Sequence, residues 1–302
     1  MSRLDWQTVD RPGFYPDLDA DSYMRDPAPL PSLNQSLIPT LLDASPLHAA
    51  QKHPRLNPYG KALEGTKATY LGSVVHRLAL GKGREVAPLR FPDFKSSSAR
   101  NARDAALANN RIPVLEKEFA KAEAMARVLL VRLEEALEGR PYQTEVPIVW
   151  REQTPHGPVW CRAMLDVWCE DLAREIDLKT TRGYATPAFA SRDMAANGYD
   201  IQRQFYARGI GFVRPDLAGR VRSETLYVEN APPYGARPMQ LDGPARAIAD
   251  EKIEKAIDLW GQAVNSRTWP SYPKEPALIS TPSFYQRDWL ERQMIEDYNA
   301  HG

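Results

Sequence analysis

The spacing of apolar residues changes along this chain from a helical to a strand-like period. Residues 65–83 carry apolar side chains at helical spacing before glycines end the segment, namely Leu71, Val74, Val75 and Leu78, followed by Gly81 and Gly83. Two further helices are predicted over residues 96–110 and 113–137. Pro113 suits the first turn of the second helix, and Gly139 follows its end.

From residue 142 the period falls to two. This pattern predicts three consecutive strands, over residues 142–150, 157–170 and 174–181. Short polar segments join them, so we expect an antiparallel meander. Beyond it the pattern predicts a helix over 189–211, a strand over 223–230, a helix over 243–264, and then a proline- and aromatic-rich tail.

Many of the 26 prolines lie in the first sixty residues. We therefore expect residues 1–60 to form a proline-rich arm that runs extended over a core. One amphipathic piece, over residues 32–54, predicts a short helix capped by Ser32 or Asn34. The remaining residues, 61–302, are predicted to form a single domain, since no composition shift divides them.

Composition limits the partners that this chain can bind. Lysine plus arginine and aspartate plus glutamate both number 39, so the formal net charge is zero and a nucleic acid would need a local basic patch. The sequence has neither an apolar run of membrane-spanning length nor a signal-peptide core, which predicts a soluble cytoplasmic protein with no membrane partner. The two cysteines, Cys161 and Cys169, lie too far apart on one predicted strand to bridge and are too few for an iron–sulfur cluster.

A candidate site lies on the second and third strands of the meander. Asp177 and Lys179 alternate with Leu178, so both project from one face. Asp166 interrupts the apolar run of the preceding strand, where an unpaired buried carboxylate is costly. A Mg²⁺ ion held by the two aspartates and a backbone carbonyl would offset that cost, and Lys179 could then orient or deprotonate a water molecule. The alternative is a surface ion pair worth less than about 1 kcal/mol.

This acid, gap, acid-x-lysine pattern resembles that of the PD-(D/E)XK nuclease superfamily. Other segments resemble its exonuclease VIII (RecE-type) branch in chain order, namely "LNQSLIPTLLDASPLHAA", "LGSVVHRLALG", "RIPVLEKEFAKAEAMARVL", "TEVPIVW", "LDVWCEDLAREIDLKTT", "YDIQRQFYARG" and "WPSYP". The resemblance implies an α/β (α+β) fold with a PD-(D/E)XK nuclease core, in which helices flank a central mixed sheet that contains the meander. Residues 61–302 would form this nuclease domain.

The resemblance also implies roles for individual residues. Metal ligation would fall to Asp166, Asp177 and the backbone of Leu178, with His76 and Glu145 completing or flanking the site. Considered alone, His76 on an apolar helix is more typical of a core histidine, and Glu145 of a solvent-facing strand residue.

Further roles concern the lysine and the helix that follows the meander. Lys179 would be the catalytic lysine. Gln202 and Tyr206, four residues apart on one helical face, would contact DNA or the scissile phosphate. Their ordinary alternatives are an exposed glutamine and a packed tyrosine.

As a member of this family the chain would be a Mg²⁺-dependent exonuclease, with Mn²⁺ as a substitute, acting on double-stranded DNA ends. The resemblance further implies 5′ to 3′ polarity, 3′ single-stranded products, a ring-like homo-oligomer and a partner single-strand annealing protein, as in phage recombination. Two alternatives remain: an endonuclease or single-strand nuclease of the same superfamily, and a non-catalytic DNA-binding accessory protein. Arginines interleaved with aromatics after the meander suit a phosphate-tracking groove or a solvated helix face: Arg182, Arg192, Arg203, Arg208, Arg214, Arg220 and Arg222.

Overall fold

A mixed six-stranded sheet is the centre of the computed structural model, which describes residues 6–57 and 67–301. In this part of the chain the strands are β1 (Gly13–Phe14), β2 (Val86–Leu89), β3 (Ile112–Leu115), β4 (Gln143–Thr154), β5 (Gly157–Cys169), β6 (Arg174–Thr181), β7 (Arg222–Glu229) and β8 (Ala236–Gln240). The order in the sheet is β1-β4-β5-β6-β7-β8, and β2 and β3 form a separate parallel pair. Only the β6–β7 pairing is parallel within the six-stranded sheet.

Helices cover both faces of the sheet. In chain order, the α-helices of the described residues are α1 (Ala20–Met24), α2 (Ile38–Asp43), α3 (Pro46–Lys52), α4 (Lys67–Leu80), α5 (Ser97–Ala108), α6 (Glu116–Leu137), α7 (Pro187–Asn197), α8 (Tyr199–Val213), α9 (Gly243–Ser266) and α10 (Ser283–His301). One buried cluster joins the sheet to α2, α8 and α9, and a second joins it to α4 and α6. The predicted mixed sheet with an antiparallel β4–β5–β6 meander and flanking helices is confirmed.

The N-terminal segment packs into the first of these clusters. Leu33 pairs with Cys161 in a parallel bridge, and Ile38 lies in the same cluster as the sheet. Asn34 caps a 3-10 turn over Gln35–Leu37, as predicted, whereas Ser32 bonds to Asp26 instead. The expected single helix over residues 32–54 is wrong, because the segment forms α2 and α3 and Ser45 caps the second.

Two other expectations about helices are wrong, and some elements were not predicted. Residues 112–115 pair in parallel with β2, so Pro113 lies in a strand and the helix begins at Glu116. The predicted helix over 189–211 is two helices, because Gly198 has a φ of +68° and a left-handed residue ends an α-helix. Neither the edge strand β8 nor α10 in the tail was predicted.

The chain divides after Ser271 into two compact units. The second unit, Tyr272–Gly302, contains α10, on which large apolar side chains such as Trp289 are exposed. Over the described ranges, no helix combines the length and the hydropathy needed to cross a membrane. Cys161 and Cys169 are buried and unbridged, as predicted.

Candidate active site

Three acidic residues lie in one row across the meander. The pairing of Thr144 with Val167 and of Val146 with Leu165 sets Glu145 on β4 opposite Asp166 on β5. The β5–β6 pairing ends at Val167 and Ile176, so the next position on each strand is Asp166 and Asp177. Strand register therefore brings together acids that are 21 and 11 positions apart in sequence.

On two strands of this row, β4 and β5, the side chains change face at the acids. Leu165 packs with the α8 and α9 side of the sheet, whereas Val167, two positions on, packs with the α4 and α6 side. On β4, Val146 packs on the first side, whereas the Thr144 hydroxyl donates to the Leu80 carbonyl of α4. Such a switch breaks the strand alternation of period two.

The backbone of Glu145 carries part of this irregularity. Its φ of +45° lies in the left-handed region, which is uncommon for a non-glycine residue. Residues held there by the surrounding structure cluster at active sites. The row of acids thus coincides with a local irregularity of the sheet.

Strands β5 and β6 separate beyond the acids. The backbone N–H of Leu178 donates to Asp166 Oδ2 over 2.9 Å. The Leu178 carbonyl accepts from His76 Nε2 of α4 over 2.8 Å, so that ring nitrogen carries the proton. His76 Nδ1 lies 3.7 Å from Asp166 Oδ2. Side chains thus replace the missing ladder bonds and hold the strands apart.

A second group of contacts surrounds Asp177. Lys179 Nζ lies 2.7 Å from Asp177 Oδ2 and 4.8 Å from the centre of the Tyr199 ring. Gln202 Nε2 donates to Asp177 Oδ1 over 3.0 Å and to the Tyr206 hydroxyl over 3.1 Å. Gln202 and Tyr206 are buried, so in this structure they brace Asp177 from α8. Their contact with DNA stays a prediction.

The pKa values of Asp166 and Asp177 are shifted in opposite directions. Burial raises the pKa of Asp166, and the nearby charge of Asp177 adds to that shift. Burial also raises the pKa of Glu145, with Asp166 contributing. Burial alone would raise the pKa of Asp177 too, but Arg203 and Lys179 outweigh it and lower the pKa. Asp177 is thus stabilised as the carboxylate.

Lys179 is the cation nearest to Asp177. Burial alone would lower its pKa, but the charges of Asp177 and Asp166 outweigh burial and raise it above the ordinary value. The side chain keeps about a fifth of its surface exposed. Lys179 therefore offers a protonated ammonium at the edge of the site.

A buried ion pair that the sequence did not predict lies beside Asp177. Arg203 of α8 contacts both carboxylate oxygens of Glu175 at 2.6 Å and Asp177 Oδ1 at 3.0 Å. Burial raises the pKa of Glu175 to about 7, with Arg203 acting in the opposite direction. Strand alternation could have placed Glu175 on the face of Asp177, but nothing local indicated its partner.

Of the two interpretations of the arginines after the meander, the groove is contradicted for Arg203, and ion pairing applies to others. Arg203 is enclosed by α8 and the sheet. Arg208 pairs with Glu152, and Arg214 pairs with Asp216 and Glu170. These guanidinium groups are occupied by protein carboxylates.

Two carboxylates of the row suit a hard metal ion. Asp177 Oδ2 is buried without a hydrogen bond of normal geometry, although Lys179 lies close to it. Mg²⁺ typically binds one or two carboxylates and keeps several waters. Asp166 and Asp177 fit that requirement, whereas the described residues include no group of three or more His, Cys, Asp or Glu side chains arranged to hold a metal. Ligation by His76, Glu145 and Leu178 stays a prediction, and His76 and Leu178 bond to each other.

A cleft of about 720 Å³ lies next to the lysine. Its wall includes Thr180 and Thr181, which follow Lys179, together with aromatic rings, two cations and two acids, namely Lys121, Arg182, Glu118 and Asp193. The aromatic residues are Tyr70, Phe94, Phe189 and Tyr199. Aromatic faces with nearby cations suit the stacking of bases and the contact of phosphates.

Known proteins resemble this chain in structure alone. No protein-family model matches it, and no curated protein matches its sequence. A solved structure of a candidate exonuclease from Eubacterium rectale matches with a TM-score of 0.55 and 13% identity, over 89% of this chain and 97% of that chain. A phage-related exonuclease from Haemophilus somnus 129PT matches with a TM-score of 0.29 and 13% identity, over 64% of this chain and 95% of that chain. The first likeness shows a shared fold, and membership of the PD-(D/E)XK superfamily stays a prediction.

Proposed function

We propose that this protein is a metal-dependent nuclease that hydrolyses phosphodiester bonds of DNA where β5 and β6 separate. The observation that carries this proposal is the row of Glu145, Asp166 and Asp177 beside the Lys179 ammonium. Buried carboxylates close together are costly without a cation. The shared fold with a protein named as an exonuclease supports the same proposal.

In the proposed mechanism Asp166 and Asp177 would hold Mg²⁺, or Mn²⁺ in its place. When bound there, such an ion would supply Lewis-acid chemistry. Lys179 contacts the scissile phosphate or the attacking water as a cation and offsets developing negative charge. Gln202 keeps Asp177 in a fixed orientation through its 3.0 Å hydrogen bond.

The cleft beside Lys179 supports a nucleic acid as substrate. Its aromatic rings would stack on bases while Lys121 and Arg182 approach the phosphates. Binding of this kind weakens with rising salt, because each neutralised phosphate releases counterions. A local site is also compatible with the zero net charge of the chain.

The family resemblance extends the proposal to a recombination exonuclease that degrades double-stranded DNA ends from 5′ to 3′ and leaves 3′ single strands. A ring-like homo-oligomer would concentrate basic residues around a central channel. The proposed partner is a single-strand annealing protein, and the proposed location is the cytoplasm.

Labelled substrates test this function. Purified protein is incubated with linear duplex DNA labelled at the 5′ or the 3′ end, with closed circular duplex and with single-stranded DNA, with and without Mg²⁺. Loss of linear duplex alone, with the 5′ label released first and no loss in Asp177→Asn, is the expected result. Cleavage of the closed circular duplex would indicate an endonuclease. Faster cleavage of single-stranded DNA than of duplex would indicate a single-strand nuclease. Binding without cleavage by folded wild-type protein would overturn the proposal in favour of an accessory protein.

A further inference from the structure

Two buried carboxylates occupy one face of β6. Glu175 and Asp177 are two positions apart, so their side chains project on the same side at a spacing of about 7 Å. Both lie beneath α8, and Glu175 is fully buried. Two enclosed negative charges at this spacing repel each other, so the arrangement needs a positive charge between them.

Arg203 supplies that charge. It is 2% exposed, and its Nη1 donates to both oxygens of Glu175 while Nη2 lies 3.0 Å from Asp177 Oδ1. Nη1 also donates to the Glu224 carbonyl, and the guanidinium lies over the Tyr206 ring. Ser223 fixes the other side of Glu175 with a 2.6 Å hydrogen bond. The guanidinium is therefore held in one place from several directions.

The two carboxylate oxygens of Asp177 have different partners. Gln202 and Arg203 both contact Oδ1, whereas Oδ2 is paired with Lys179 Nζ at 2.7 Å. The carboxylate cannot rotate about its χ2 bond without giving up both Oδ1 contacts. Oδ2 is consequently the oxygen held on the side of Lys179.

We propose that Arg203, anchored by Glu175, is a positioning residue that fixes the carboxylate of Asp177 so that Oδ2 faces the catalytic centre. This inference rests on the proposed nuclease function and deepens it. Arg203 contacts no reacting atom in this account. Its effect on catalysis passes through Asp177.

A buried ion pair can also be only structural, so the test removes both charges together. The double variant Glu175→Gln/Arg203→Gln leaves no lone buried charge, and such a neutral pair retains the fold more readily than either single change. The matched control is Glu152→Gln/Arg208→Gln. That pair joins the same helix α8 to the sheet over 2.7 Å, but it makes no contact with Asp177.

Steady-state cleavage of linear duplex DNA in Mg²⁺ gives the first readout. We expect the test variant to lose at least about tenfold in kcat with little change in KM, because a small misplacement of a reacting group lowers the chemical step. The control variant is expected to keep both constants within about twofold. Both variants must show the circular dichroism spectrum and cooperative unfolding of the wild type.

Nuclear magnetic resonance gives a second readout that needs neither metal nor substrate. The side-chain amide signal of Gln202, assigned by its loss in Gln202→Leu, reports the hydrogen bond to Asp177. We expect this signal to shift and to exchange faster in the test variant but not in the control.

The outcomes separate this inference from the proposed function. If wild-type protein cleaves DNA and the folded test variant keeps wild-type kcat with an unmoved Gln202 signal, Arg203 is not a positioning residue. If wild-type protein cleaves nothing, the nuclease proposal fails, and an unmoved Gln202 signal would then also refute the positioning of Asp177.

Discussion

Replacing Asp26 by asparagine is expected to destabilise the first unit by about 3–5 kcal/mol, the usual cost of leaving a buried charge without its partner. Asp26 is fully buried and has a φ of +68°, a conformation that asparagine adopts readily. The substitution therefore removes the charge with little change in shape or backbone strain.

The magnitude follows from the contacts of this carboxylate. Asp26 accepts from the backbone N–H of Ser32 over 2.9 Å and from its hydroxyl over 2.6 Å. It lies 3.1 Å from His53 Nε2 and 3.4 Å from Arg162 Nη1. Arg162 is itself almost fully buried and would keep its bonds to Ser32 but lose its counter-charge. Asparagine retains only one acceptor oxygen for these donors.

Urea denaturation followed by tryptophan fluorescence measures this loss, with Asp17→Asn as an exposed control. For a domain of this size each kcal/mol lowers the Tm by about 2–4 °C, so a fall on the order of 10 °C is expected. A loss below about 1 kcal/mol, equal to that of the control, would refute the reasoning. It would mean that the charge of Asp26 does not hold the N-terminal segment to the sheet.

Three other predictions concern pH, packing and the cleft. Burial lowers the pKa of His53, so the folded state favours the neutral imidazole, and the free energy of unfolding should fall as the pH drops below the ordinary histidine value of 6.5. In urea titrations at several pH values, His53→Gln should make that fall smaller. Gly209→Ala should cost about 1–3 kcal/mol, because the new methyl would lie 2.7 Å from a buried tryptophan ring, whereas Gly243→Ala meets nothing and should cost less. Phe189→Ala should weaken binding of a short single-stranded oligonucleotide by about 1–3 kcal/mol in fluorescence anisotropy, whereas Phe212→Ala, outside the cleft, should not. Equal affinities of the two variants would exclude stacking of bases on Phe189.

Local sequence patterns predicted those parts of the fold that depend on local geometry. Strand alternation located β4, β5 and β6, and apolar spacing located α4, α5 and most of α6. The pattern failed where a backbone conformation or a distant partner decides the structure. Gly198 looked like an interior helix residue, and Pro113 lies in a strand because β2 pairs with its neighbours.

In the candidate site, too, some contacts follow from the local sequence and others depend on how distant elements pack. The proximity of Asp177 and Lys179 follows from alternation along one strand, and that of Gln202 and Tyr206 follows from one helical turn. The pairing of Arg203 with Glu175 depends on how α8 packs on the sheet, and no short-range pattern distinguishes a buried arginine from one facing solvent. The left-handed φ of Glu145 likewise has no signal in the sequence.

The central claim is that the acids and the lysine at the split between β5 and β6 carry out DNA cleavage. It is tested most directly by the rate at which Lys179→Met releases acid-soluble nucleotides from linear duplex DNA in Mg²⁺, compared with wild type and with Lys252→Met. Lys252 is a suitable control because it also pairs with an aspartate, Asp200, at 3.1 Å, but lies on α9. We expect a loss of at least about 100-fold for Lys179→Met and wild-type rates for Lys252→Met. Equal rates for all three proteins would contradict it.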